Sequence, residues 1–142
     1  MARFSTTQAV ATFRAKGRSI TAQRMAVFQA LERADGHPTA EALHTGLRRA
    51  VPGLALKTVY AILHELADLR LVEPLPLPGG ATHWEQNTTP HGHLVCDTCR
   101  RVIDLPVDPT VLMPLVRHAA RGFDARGASL IVHGRCGECS AR

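Results

Sequence analysis

Four cysteines arranged as two CxxC pairs limit the architectures open to this chain of 142 residues. The first pair is Cys96 and Cys99, the second is Cys136 and Cys139, and no cysteine is left over for a catalytic role. A two-residue gap lets both sulfurs of a pair reach one ion, and two pairs complete a shell of four thiolates around Zn²⁺. Because a closed shell has no vacant position for water, we expect a structural zinc rather than a catalytic one.

Two other interpretations of the cysteines stay open. The chain could be a dithiol oxidoreductase that uses one CxxC pair, or a zinc-ribbon-type module that binds another protein or RNA. Neither pair lies in the strand-to-helix setting of a thioredoxin-like redox site. We therefore predict that the protein is not an enzyme.

The composition favours a folded chain with an anionic partner. Hydrophobic residues make up 45% of the sequence, which is enough for a packed core. The sequence has no run of about 18 apolar residues, and its opening lacks the apolar segment of a secretory signal. We therefore expect a cytoplasmic protein without membrane contact. A formal charge of +5 favours a polyanion without identifying one.

Residues 1–85 follow the order of a winged-helix DNA-binding domain. Thr21 and Thr39 can cap helices, and the last helix of this region has a clear apolar stripe formed by Val59, Ile62, Leu63 and Leu66. The predicted helices lie at about 7–16, between 21 and 36, between 39 and 53, and at about 56–69; the predicted strands cover 73–77 and 81–85. Helices followed by a hairpin around a glycine turn are the winged-helix order.

The remainder of the chain predicts a hinge at 86–90 and a small α/β domain over 91–142, which makes the whole an α+β protein. The expected elements are strands at 93–95, 101–104 and 128–133 and a helix at 111–119. The apolar core of this second domain is thin for independent stability. We therefore expect both a metal staple and a partner subunit, so that the protein is a homodimer.

A second group of metal donors contains no cysteine. His91 and His93 are separated by one residue, so on a strand they project from the same face. The further candidates are Glu85, Asp104 and His37, with His83 as a possible extra ligand. Imidazole nitrogens and carboxylate oxygens suit Fe²⁺, Mn²⁺ or Zn²⁺.

Several motifs in order along the chain resemble those of the ferric uptake regulator (Fur) family. They are Ile20-Thr21-Ala22-Gln23-Arg24, His37-Pro38-Thr39-Ala40-Glu41, Thr58-Val59-Tyr60, Leu71-Val72 and the run from His91 to Cys99. The resemblance implies a structural zinc on the four cysteines and a regulatory metal at the hinge, bound by His37, Glu85, His91, His93 and Asp104. It also implies a metal-dependent transcriptional repressor that binds a near-palindromic double-stranded operator.

This chain departs from the family pattern at several positions. Glu85 is similar to the iron-sensing branch and Asp104 to the peroxide-sensing branch, and no cysteine is available as an extra sensor ligand. The resemblance therefore predicts control of metal-homeostasis or peroxide-stress genes without choosing between them. By similarity to the peroxide branch, His37 or His91 would be oxidised by peroxide if Fe²⁺ occupies the site.

The predicted DNA contacts lie on and near the last helix of the first domain. Ala61 stands where the family often has an arginine after the Thr-Val-Tyr triplet, so the operator sequence does not follow from the motif. We expect Tyr60 to contact a thymine methyl group. We expect Lys57, Thr58 and Arg24 to contact phosphates or nearby base edges.

Overall fold

A computed structural model describes residues 3–142 of the chain, so the first two residues of the predicted N-terminal domain lie outside the described part. The chain divides into an N-terminal unit that ends at Thr88 and a C-terminal unit from Thr89 to Arg142. Gln86 and Asn87, which the sequence placed in the hinge, pair with the backbone near the chain start: the Phe4 N–H donates to the Gln86 carbonyl at 2.9 Å. The hinge itself stays a prediction.

The helices of the N-terminal unit begin where the sequence predicts caps. The unit contains α1 (Thr6–Ala15), α2 (Ala22–Arg33), α3 (Ala40–Leu47) and α4 (Leu56–Asp68). The Thr21 hydroxyl accepts a hydrogen bond from the Arg24 N–H at 3.2 Å, and the Thr39 hydroxyl accepts one from the Ala42 N–H at 3.1 Å. Each hydroxyl satisfies a backbone donor that a helix start leaves open, which explains both start points.

A continuous apolar core holds these helices together. The four residues of the predicted α4 stripe are all buried. The Phe28 ring lies edge-on to Phe13 at 5.0 Å between centroids and to Phe4 at 6.3 Å, a favoured geometry for aromatic pairs. The core comprises Phe4, Ala9, Phe13, Val27, Phe28, Leu31, Ala40, Leu43, Leu47, Leu54, Val59, Ile62, Leu63, Leu66, Val72 and Trp84.

A short antiparallel hairpin completes the N-terminal unit and confirms the predicted winged-helix order. It pairs β1 (Glu73–Leu75) with β2 (His83–Glu85), and Glu73 lies opposite Glu85. Both strands are shorter than the sequence predicted. Pro76 and Pro78 follow β1, and because proline has no N–H to donate to a partner strand, the pairing ends before them.

The C-terminal unit is built on a three-stranded sheet. The central strand β3 (Gly92–Cys96) pairs antiparallel with β4 (Val102–Leu105) and parallel with β5 (Ile131–Gly134). A 3-10 turn (Pro109–Leu112) leads into α5 (Met113–Ala119), and the crossover between β4 and β5 carries both. The unit has the predicted small α/β character, so the α+β class of the whole chain is confirmed.

Two details of the C-terminal unit differ from the sequence prediction. The third strand starts at Ile131 rather than 128, and a short helix, α6 (Gly137–Ser140), follows Cys136. This helix begins after Cys136 and contains Cys139, and it is too short to show an apolar helical spacing in the sequence. Among residues 3–142, no helix combines the length and the hydropathy needed to cross a bilayer.

Candidate metal and DNA-binding sites

The four cysteines of the C-terminal unit converge on one point. Their Sγ atoms all lie within 4.8 Å of one another. Four sulfurs at about 2.3 Å from a central zinc are separated by about 3.8 Å along the edges of a tetrahedron. The Sγ atoms of Cys99 and Cys136 are 3.8 Å apart, which is that edge length. The donor set and its spacing therefore fit a structural zinc.

The protein also tunes the protonation of these thiols. Hydrogen bonds from the backbone N–H groups of Cys99 and Cys136 lower the pKa of the Cys96 thiol to about 6. Hydrogen bonding to Cys136 raises the pKa of the Cys139 thiol to about 12. Binding of a divalent cation to such a cluster displaces the thiol protons, because the thiolate is the form that binds the metal.

Two polar pairs join the halves of the thiol cluster. Arg101, two residues after Cys99, donates two hydrogen bonds to the carboxylate of Glu138, which lies between the cysteines of the second pair. Asp97, in the first CxxC pair, lies 3.3 Å from Nδ1 of His133. The pairing of β3 with β5 places Cys96 beside Gly134. The strand register therefore brings the two CxxC pairs together although 37 residues separate Cys99 from Cys136.

The N-terminal unit contributes one pair from the second donor group. His37 Nε2 lies 2.7 Å from Oε2 of Glu85, and the two side chains are only 4% and 7% exposed. A buried carboxylate is stable only when it is paired or bound to a metal. Hydrogen bonding between the backbones at Trp84 and Pro38 holds β2 beside the loop that carries His37. The fold of this unit therefore brings a nitrogen and an oxygen donor together.

His83 has a structural contact that bears on its predicted role as an extra ligand. Its Nδ1 lies 2.8 Å from the His37 carbonyl oxygen, and because a carbonyl only accepts, the ring must donate there. The ring therefore holds the His37 backbone in place. Its role as a ligand stays a prediction, with Nε2 as the nitrogen that could bind.

The C-terminal unit contributes the other donors. The rings of His91 and His93 pack at 4.6 Å between centroids, and His91 Nε2 lies 3.4 Å from Oδ1 of Asp104. His93 pairs with Asp104 across β3 and β4, so their side chains share one face of the sheet. At Gly92, between the histidines, a Cβ would lie only 3.2 Å from the Leu130 side chain, which would have to shift by a few tenths of an ångström. The unit therefore groups two imidazoles and a carboxylate.

The predicted DNA contacts on α4 differ in exposure, and Tyr60 packs partly against the apolar core. Lys57 is exposed, and Thr58 and Tyr60 are half-buried. Arg24, by contrast, forms a two-pronged ion pair with Glu65 on α4 at 2.7 to 3.1 Å, and its Nη1 donates to the Ser19 carbonyl. These bonds give Arg24 a structural role in the N-terminal unit, and its contact with DNA stays a prediction.

Glu41 is a residue whose role the sequence analysis missed. The Tyr60 hydroxyl on α4 donates a hydrogen bond to Glu41 Oε1 on α3 at 2.5 Å. This bond is the main reason that the pKa of Glu41 lies below its ordinary value and the pKa of Tyr60 above its own. In the sequence analysis Glu41 appears only as the last residue of the motif that begins at His37. A pair 19 residues apart on two helices leaves no periodic signal.

The chain is similar in sequence to the proteins of one known family. The model of the Ferric uptake regulator family matches residues 15–139 of the chain. A curated relative, the peroxide-responsive repressor PerR of Staphylococcus epidermidis, is 26% identical over 132 residues, which are 93% of this chain and 88% of the relative.

Solved structures of similar proteins have the same fold. The ferric uptake regulator of Helicobacter pylori has a TM-score of 0.74 at 21% identity, over 99% of this chain and 97% of its own. The Pseudomonas aeruginosa regulator with manganese has a TM-score of 0.66 at 27% identity, over 89% of this chain and 96% of its own.

Proposed function

This chain belongs to the ferric uptake regulator family of metal-responsive transcriptional regulators, and from that premise we propose that it is a metal-dependent DNA-binding repressor. In the proposed mechanism, one regulatory ion is bound by His37, Glu85, His91, His93 and Asp104. The ion favours the arrangement of the homodimer that binds a near-palindromic operator. Zinc on the four cysteines keeps the C-terminal unit folded.

The observation that carries the proposal is the distribution of imidazole and carboxylate donors between the two units. His37 and Glu85 are paired and buried in the N-terminal unit, and His91, His93 and Asp104 are grouped in the C-terminal unit. A cation bound by both groups would favour one arrangement of the units over others. A ligand shifts a conformational equilibrium only by its difference in affinity for the two states, and donors from both units provide that difference.

The donor chemistry narrows the choice of regulatory metal. Three imidazoles and two carboxylates suit Fe²⁺ and Mn²⁺, and Zn²⁺ also binds such sets. One relative was solved with manganese. We propose Fe²⁺ or Mn²⁺ for this site, because the thiolate cluster already offers zinc the softer ligands.

The C-terminal unit carries the surface that we propose for dimer formation. Val111 and Leu115 lie four residues apart along the 3-10 turn and α5, and their side chains are 61% and 66% exposed. Phe123 is 67% exposed. Exposed apolar side chains of this size in one small unit favour burial against a second copy. Leu115→Glu should raise the dimer dissociation constant at least about tenfold in sedimentation experiments. Arg117→Ala, on the same helix, should leave it unchanged.

The experiment that tests the regulatory site compares operator binding with and without Mn²⁺. The zinc-loaded wild-type protein should bind the operator only when Mn²⁺ is added, with an affinity that falls steeply as salt rises. His93→Ala should abolish the operator binding that Mn²⁺ induces, while zinc content and dimer mass stay unchanged. Operator affinity that is equal with and without Mn²⁺ in the wild type would contradict the proposal.

A second candidate function, peroxide sensing, is favoured by Asp104 and by the relative named as a peroxide-responsive repressor. His37 and His91 would help to hold Fe²⁺, which would supply peroxide activation; overall, one oxygen atom of H₂O₂ would be transferred to a ring and the other would leave as water. Mass spectrometry of iron-loaded protein after dilute peroxide should then show this added mass on one of the two histidines. Manganese-loaded protein is the control. Unmodified rings in the iron-loaded protein would leave a plain metal sensor.

A further inference from the structure

The single tyrosine of the chain lies on α4 and is held by a carboxylate from the neighbouring helix. Glu41 occupies the first turn of α3, where the helix dipole and the free backbone N–H groups favour a negative charge. A hydrogen bond from a hydroxyl to an ionised carboxylate is stronger than one between neutral groups. The Tyr60 ring is therefore fixed at both ends, by its Cα on α4 and by its oxygen on Glu41.

A tyrosine ring that is held in one orientation can recognise a base in DNA more selectively than a mobile one. Contact with a methyl group requires carbon atoms within about 4 Å, so a ring that rotates freely about its two side-chain bonds reads a methyl poorly. Ordering a side chain before binding removes a cost equivalent to about twofold to tenfold in affinity. We propose that Glu41 is a specificity-determining positioning residue that holds the Tyr60 ring where it contacts a thymine methyl. This inference rests on the proposed DNA-binding function.

The charge of Glu41 supports this assignment. Tyr60 follows Lys57 by three residues on α4, so the two side chains are neighbours on one helix face. A carboxylate bonded to that face repels phosphates and weakens non-specific binding to DNA. Phosphate contact therefore gives no reason for an acidic group bonded to this face of α4, whereas the start of α3 and the orientation of the ring both do.

A first test measures the hydrogen bond without any DNA. Because Tyr60 is the one tyrosine of the chain, ultraviolet titration of its phenol reports on a single group. The wild-type pKa should lie above the ordinary tyrosine value, and Glu41→Ala should return it to that value. Glu32→Ala removes an equal charge from the exposed side of α2 and should leave the phenol pKa at its wild-type value. An unchanged pKa in Glu41→Ala would overturn the proposal.

The second test measures methyl recognition on a duplex selected from random sequences by the manganese-loaded wild-type protein. Replacement of each thymine by uracil removes only the methyl group, which is worth about fourfold in affinity when buried. The wild type should show this ratio at one thymine per half-site. Glu41→Ala and Tyr60→Phe should bring the ratio close to one. Glu41→Gln, which still offers an oxygen acceptor, should retain the ratio, and so should Glu32→Ala.

The outcomes separate this inference from the function on which it rests. If Glu41→Ala keeps the fourfold ratio, or Glu32→Ala loses it equally, the positioning role is wrong while the metal-dependent repressor stands. If the wild type binds with metal dependence but without any preference for thymine over uracil, the role of Tyr60 and Glu41 is likewise wrong. If the wild type selects no duplex in a metal-dependent way, both proposals fail.

Discussion

The N-terminal unit buries a continuous apolar core, whereas the C-terminal unit leaves several of its large apolar side chains at the surface and buries few of them fully. All sixteen residues of the core cluster lie before Thr88. The six exposed large apolar residues of the described chain, which are 38% to 67% exposed, all follow Thr89: they are Ile103, Val107, Val111, Leu115, Phe123 and Val132. Apolar burial is the main favourable term in folding. The first unit therefore has an apolar core of its own, and we propose that the second is stabilised by a metal and a second copy.

The ion pair between Arg101 and Glu138 in the C-terminal unit is also more exposed than the one between Arg24 and Glu65 in the N-terminal unit. The Arg24 and Glu65 side chains in the N-terminal unit are 20% and 31% exposed, whereas Arg101 and Glu138 in the C-terminal unit are 50% and 66% exposed. Screening by water weakens an ion pair as its exposure rises. The C-terminal pair orients the CxxC pairs but adds little stability of its own.

The largest expected effect comes from loss of the thiolate cluster. Cys96→Ser should unfold the C-terminal unit and leave the N-terminal unit folded, because in a small metal domain the binding energy of zinc is folding energy. Hydrogen exchange followed by mass spectrometry should show full loss of protection in β3 and β5 and retained protection in α2 and α4.

The control for this change is Thr98→Ser, inside the same CxxC pair but without a ligand atom in the cluster. It should keep protection in both units. A zinc-free Cys96→Ser protein with protected β3 and β5 would show that the C-terminal unit folds without metal, and the contrast between the units would be lost.

The next largest expected effect is a difference in stability loss between two phenylalanine substitutions, one in each unit. Phe28 is fully buried between two other rings, so Phe28→Ala should lower the free energy of unfolding of the N-terminal unit by about 3–5 kcal/mol. Phe123→Ala removes an exposed ring and should change unfolding by less than about 0.5 kcal/mol in dilute protein. Chemical denaturation of the two zinc-loaded variants measures both values. Equal losses would contradict the difference in burial.

The smallest expected effect is the difference in stability loss between the removal of Arg24 and the removal of Arg101 from their ion pairs. Arg24→Ala should cost about 1 kcal/mol, because it leaves Glu65 without its two-pronged partner at a partly buried place. Arg101→Ala should give no measurable change in the stability of the zinc-loaded protein. A thermal unfolding series in low and high salt checks this ranking. A larger loss in Arg101→Ala would show that the exposed pair stabilises the thiolate cluster directly.

The sequence predicted those features that depend on local spacing. The α4 stripe follows the helical period, Thr21 and Thr39 offer oxygens next to open N–H groups, and each CxxC pair carries its own geometry. The shorter extent of the hairpin strands, the helix α6 and the partners of Arg24 and Tyr60 were not predicted. They depend on where separate elements pack, and neither Glu65 nor Glu41 is close in sequence to the side chain that it binds.

The candidate sites divide in the same way. Sequence spacing identified the four cysteines and placed His91 and His93 on one side of a strand, where the structure packs their rings together. His37 and Glu85 were candidate donors from the sequence, but only the resemblance assigned them to one ion, because 48 residues separate them. Sharing of one ion by His37 and the histidines after Thr89 stays a prediction.

Manganese titration of the zinc-loaded protein tests that prediction most directly. We predict one tight Mn²⁺ site per chain. Binding would be measured as the loss of the electron paramagnetic resonance signal of free Mn²⁺. His37→Ala in the N-terminal unit and His91→Ala in the C-terminal unit should each weaken this site at least about tenfold. His118→Ala, which removes an exposed histidine of α5, should leave it unchanged. Wild-type manganese affinity in His37→Ala would contradict the claim that one ion joins the two units.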